Sequence, residues 1–200
     1  MPSRDHHRPL NPGAAWFEAI PDGLAPDQRR EMADRTATVL VRGAREAGDS
    51  EVAERLVHLA EAEGLETMAE MWATSPADSL AGSLWRLYVV RAWVHADGER
   101  AARAYEAGQG TAQVAKVIAG VPDPSGPAQL CAVIDDVLRG IVHGDYADVL
   151  WRAAAVLHVL AAGRALEEPK ASSVREAARM MTLAEQLEQA GHLELAGRLA

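Results

Sequence analysis

Aromatic residues and lysine are scarce in this chain. Of 200 residues one is Phe, three are Tyr and five are Trp, and 18 Arg stand against two Lys, Lys116 and Lys170. A single cysteine, Cys131, excludes an intrachain disulfide framework and any cysteine-only zinc site. Positive charge is in deficit, 20 basic against 29 acidic residues for a net charge of −9. That balance argues against a basic face tracking nucleic-acid phosphates and against attraction to anionic membranes. No apolar leader follows Met1, and the run Ala153 to Gly163, broken by His158, is too short to span a bilayer. The expectation is a cytoplasmic protein with neither nucleic acid nor membrane as partner. Glu-x-x-His, His-Glu-x-x-His, Gly-x-Ser-x-Gly, Walker and Cys-x-x-Cys patterns are all missing. No catalytic residue, metal or cofactor is assigned, and a non-enzymatic role is expected.

What is present is alanine, 40 residues of it, the strongest helix former. No segment alternates with period two between turn signals, so no strand is expected. Prolines cut the interior into helical stretches: Asp27 to Ala47, Pro76 to His95 behind a Ser75-Pro76 start, Asp145 to about Gly163, and Ser173 to about Ala190 behind a Ser173-Val-Arg-Glu176 capping box. Leu80 to Val94 and Val149 to Ala162 are apolar nearly all round, which places both at the centre of a bundle. The fold class is all-α: a compact globular bundle of about eight to nine helices in one domain, 26–200, preceded by an arm, 1–25, that is disordered or docks through Trp16-Phe17.

Turn signals recur about 48 residues apart, at Gly48-Asp49, Ala96-Asp97-Gly98, Gly144-Asp145 and Gly191-His192. Laying 91–97 over 139–145 aligns Arg-Ala-Trp-Val-His-Ala-Asp with Arg-Gly-Ile-Val-His-Gly-Asp. This suggests degenerate hairpin units over 27–75, 76–121, 127–168 and 170–200. Trp85, Ala101 and Tyr105, with Gly191 and Ala196, give the chain a pattern that resembles tandem helical-hairpin repeats of the tetratricopeptide or HEAT type. The period is longer than either repeat uses, and Val89 stands where the tetratricopeptide glycine belongs. Over roughly residues 30 to 200 the resemblance implies a protein-binding scaffold, with no catalytic residues to carry over.

The repeated motif Arg-x-x-Val-His-x-Asp supplies the candidate ligand-binding residues Arg91, His95 and Asp97, twinned with Arg139, His143 and Asp145. Arg and His four apart share a helix face and Asp follows across the turn. Two such sets could ligate a divalent metal or hold an anion if a pseudo-twofold brought them together. Alternatively each residue acts locally, the cations on a helix C-terminus and the Asp as the next N-cap. Asp135-Asp136 is similar to the acidic pairs of prenyl-diphosphate enzymes but lacks a further carboxylate at Arg139; a solvated helix face is expected there. Glu51-Val-Ala-Glu54 lacks the second acidic motif of a magnesium site, and His58 and His158 are expected at the core or its boundary. Trp72, ending a short helix beside a Ser-Pro break, is the candidate exposed anchor for a partner. Three functional classes follow: a scaffold or adaptor binding another protein or itself as a homodimer, a small-molecule or metal site built on the twinned motif, and the ligand-binding core of a regulator.

Overall fold

The computed structural model describes residues 26–43, 69, 71–112, 126–143, 145–167 and 171–200, with Arg139, Val142 and His143 described by backbone alone. These residues form six helices and no strand: α1 (Pro26–Arg42), α2 (Leu80–Ala96), α3 (Gly98–Gln109), α4 (Pro127–His143), α5 (Tyr146–Leu166) and α6 (Ala171–Leu195). The chain is all-α, with six helices among the described residues where eight to nine were expected. The arm 1–25, the Gly48-Asp49 turn, the Glu51/Glu54 pair and His58 lie outside them.

Helix α1 starts at Pro26, whose missing N–H costs nothing in a first turn, and carries Asp27 at its positive end. It stops at Arg42 rather than Ala47. Gly43 adopts φ 79°, a left-handed cap, and its N–H returns to the Val39 carbonyl at 2.9 Å. Helix α2 begins four residues later than the Ser75-Pro76 signal suggests, because Ser79 takes over as N-cap. Its Oγ accepts from the Gly82 N–H at 3.1 Å and donates to the Pro76 carbonyl at 2.9 Å.

Helix α5 is the axis of the structure. Fourteen of its 21 residues are buried, and it packs on α3 and α6 and also touches α2 and α4. By length and composition α5 is long and apolar enough to cross a membrane, longer than the sequence run suggested, and 67% of its most apolar stretch is buried within the bundle. Against α3 the approach is of backbone on backbone. A Cβ on Gly108 would stand 1.9 Å from the Val159 carbonyl oxygen, and one on Gly163 would stand 1.6 Å from that of Ala104. Only small residues permit such a crossing, which brings Cα hydrogens onto opposing carbonyls.

The last helix corrects two expectations. It begins at Ala171, so Ser173 lies inside it, buried, instead of capping it. It also runs unbroken through Gly191-His192, where a turn was expected, so 171–195 is one 25-residue helix rather than a hairpin. Gly191 is there for packing: a Cβ would meet Trp151 Nε1 at 2.5 Å. Beyond α6 the chain folds back to α1 and α2. The Leu80 N–H, free at the start of α2, donates to the Ala200 carbonyl at 2.8 Å. Arg42 clamps the Glu194 carboxylate and donates to the Leu199 carbonyl at 3.2 Å.

Candidate functional site

The structure divides the twinned motif. Arg91 and His95 do come together, but through a residue of another helix: Arg91 Nε donates to Asp135 Oδ1 at 2.9 Å, and His95 Nε2 lies 3.1 Å from the same oxygen. Asp135 is therefore half-buried and paired, not a solvated half of an acidic pair. Asp97 caps α3, accepting from the Arg100 N–H at 3.0 Å, and Asp145 caps α5, accepting from the Ala147 N–H at 2.9 Å. Arg139 and His143 lie in the last turns of α4, and their side chains fall outside the description. Among the described residues no three His, Cys, Asp or Glu side chains converge as a metal site would require. Cys131 stands one turn before Asp135. Burial pushes its thiol up, Asp135 adds to the effect and Arg91 opposes it, which disfavours the nucleophilic thiolate. The cluster links α2 to α4 as a part-exposed ion pair of small energetic weight.

Trp72 is not an exposed anchor. Its ring is fully buried, and Nε1 donates to Thr36 Oγ1 on α1 at 3.2 Å. An indole with one polar atom is well suited to a core position where a hydroxyl waits for its N–H.

One concavity was not foreseen. A groove of about 1090 Å3 runs along α5 and α6, with Gly110, Thr111 and Ala112 after α3 forming part of its rim. Its floor is mostly alanine, including Ala154, Ala155, Ala161, Ala162 and Ala165 from α5 and Ala177 and Ala178 from α6. These positions recur at helical spacing on facing sides of the pair. One end is polar. Trp151 lies edge-on to His192 with ring centroids 5.6 Å apart, and His158 Nε2 sits 3.8 Å from Glu188 Oε2. Met181 also lines the wall, and outside the lining Leu166 and Val174, near the facing ends of α5 and α6, are well exposed, 60% and 56%. Among the groove's described lining residues Glu188 is the only carboxylate, and there is no Arg or Lys.

Behind the groove lies a buried charge. Arg164 has no exposed surface; its Nη1 donates to Glu167 Oε2 at 2.6 Å and its Nη2 to Glu176 Oε2. Arg100 Nη2 reaches that same Glu176 oxygen at 3.1 Å, and the Arg164 guanidinium lies 6.0 Å from the centroid of the Trp93 ring. The network ties the end of α5 to the second turn of α6 and to α3. Glu176, expected in a capping box, is drawn into it. The sequence does carry one signal for Arg164, the Arg-x-x-Glu spacing to Glu167, but that lies beyond the expected end of the helix at Gly163.

No protein-family model, curated protein or solved structure matches the chain. Function is therefore to be read from these clefts and their chemistry.

Proposed function

We propose that this chain is a non-enzymatic binding protein that receives an amphipathic α-helix of a partner protein in the α5/α6 groove. The observation that carries this reading is the groove's shape. Trp151 to Ala165 covers about 21 Å of α5, roughly four helical turns, longer than a compact small molecule would fill. Alanine along the floor lets a third helix approach at the short end of ordinary interaxial distances, about 8 Å. Met181 adds a wall that adapts its shape to the side chain it meets. Such docking is the helix-in-groove mode, in which apolar anchors at i, i+3, i+4 and i+7 enter the groove. The lone Glu188 carboxylate, in a chain of net charge −9, calls for a basic residue at one end of the incoming helix. The two helix-Asp-helix joints at Asp97 and Asp145 support an origin in hairpin units. The unbroken α6 counts against a fourth hairpin.

The test is selection of a displayed library of 16-residue amphipathic helices against the full chain. Enriched peptides are expected to bind with a basic residue next to the apolar stripe. Ala162→Trp, which fills the floor, should remove binding, whereas Arg103→Ala on the exposed side of α3 should leave it unchanged. Peptides that bind Ala162→Trp as well as the parent would overturn the reading. So would native mass spectrometry of the purified chain that shows a small molecule released on denaturation and lost in Ala162→Trp.

A further inference from the structure

A second cavity, of about 340 Å3, occupies a different face of α6, in its seam with α2. Its walls are mostly apolar, Val90 and Trp93 from α2, Leu157 from α5, and Met180 and Leu183 from α6, and two charged residues of α6, Glu176 and Arg179, line it as well. Polar contacts flank it along the seam. Arg86 Nε donates to Gln186 Oε1 at 2.7 Å. Trp93 lies against Arg164, which holds Glu176.

The charges around this seam do not cancel. Glu167 and Glu176 are matched by Arg164 and Arg100. Arg86 has only neutral acceptors, the Gln186 amide and the Gly82 carbonyl at 2.7 Å. Burial pulls Arg86 down and Asp78 opposes the shift, but a guanidinium keeps its proton at any ordinary pH. Arg179 lines the cavity and forms no ion pair or hydrogen bond among the described residues. A chain that is strongly acidic as a whole thus keeps, on the wall of a largely apolar cavity, a guanidinium with no ion-pair partner among the described residues, and a second one farther along the seam.

We infer that the α2/α6 cavity binds a small apolar monocarboxylate, with the carboxylate on Arg179 and the hydrocarbon body against Trp93, Leu157 and Leu183. A guanidinium presents paired N–H groups that match the two oxygens of a carboxylate. Apart from Arg179 the described lining holds no cation, and a second charge buried there would go unpaired. A volume of 340 Å3 stands at the small end of ligand pockets and suits a molecule of aromatic-acid size. The inference is independent of the groove, because Arg179, Leu183 and Trp93 do not line it.

The experiment titrates the full chain with 3-phenylpropionate, indole-3-acetate and octanoate, following tryptophan fluorescence and calorimetric heat, with 3-phenylpropanamide as the neutral control. At least one acid is expected to bind, with the amide at least about tenfold weaker. Arg179→Gln, at an exposed position, should keep the parental melting temperature and weaken the acid by a similar factor. Leu183→Trp, which fills the cavity, should abolish binding, and Ala162→Trp in the groove should leave it intact. Equal binding of acid and amide would overturn the inference, as would parental affinity in Arg179→Gln or the absence of binding by all three acids at millimolar concentration.

Discussion

Arg164 and Asp34 show what burial does to a single charge when the partners differ. Arg164 is entirely out of water, yet it meets two carboxylates and the face of Trp93, so its charge is compensated where it lies. A buried pair of this kind specifies where helices meet more than it stabilises them. Asp34 on α1 has less support. Its Oδ1 is buried without a hydrogen-bond partner among the described residues, and burial pushes its carboxyl up while Arg30 opposes the shift. A carboxyl raised in the folded state favours folding while protonated and loses that contribution as pH rises through its folded value. At neutral pH the ionised Asp34 therefore weakens the fold. Asp34→Asn should raise the melting temperature at pH 7, and the gain should vanish once the pH falls below the ordinary carboxyl value of 3.8. A gain of the same size at pH 3 and pH 7 would show that ionisation of Asp34 is not its cause.

At the scale of the element, the α3/α5 crossing is the least adaptable contact. Gly163→Ala would by propensity strengthen α5 by about 1 kcal/mol. Its new methyl would instead collide with the Ala104 carbonyl, which is backbone and cannot swing aside. A net loss of about 2 kcal/mol or more is expected in denaturant unfolding. Gly110→Ala, with open space around it and φ −69°, should be neutral or stabilising in the same assay. If both changes prove neutral, the two helices are not in backbone contact.

The same elements show which features can be read from sequence. Asp97 and Asp145 were legible as caps because each acts on the N–H groups two or three residues ahead. The nearly all-apolar α2 and α5 were legible because multilateral burial erases amphipathic contrast. The continuity of α6 was not: a Gly-His pair reads as a turn until Trp151, 40 residues earlier, is known to lie against it. Asp135 was misread for the same reason, since its partners Arg91 and His95 are 44 and 40 residues away. Ser75 lost its capping role to Ser79, a competition that local spacing alone did not decide. The groove was invisible in principle, because alanine on a helix face looks the same whether another helix covers it or not.

For the molecule as a whole, the decisive contacts are those that fasten its last residues to α1 and α2. Leu80 N–H to the Ala200 carbonyl and Arg42 to Glu194 bridge separations of 120 and 152 residues, and α2 touches every other described helix. An open array of repeats would share contacts only between neighbours and could lose units separately. Here α1, α2 and α6 are fastened to one another, so unfolding should be a single event. In urea, far-ultraviolet circular dichroism and tryptophan fluorescence should trace superimposable curves. Arg42→Ala should move the shared midpoint downward without splitting it. Two separated transitions would mean that the closure through residues 196–200 does not couple α6 to α1 and α2.

The alanine floor also has a consequence for how the chain can change over generations. One side of α5 is fixed by backbone contact with α3, where even a methyl is excluded. Ala162 and Ala165 on α5 and Ala178 on α6 line the groove and are not part of the buried core. Mutations there can lengthen a side chain step by step and re-cut the groove for a different occupant while the rest of the helix keeps the bundle assembled. Lineages derived from such a chain would be expected to drift in what they hold long before they drift in shape, with tolerance to substitution rising and falling once per helical turn.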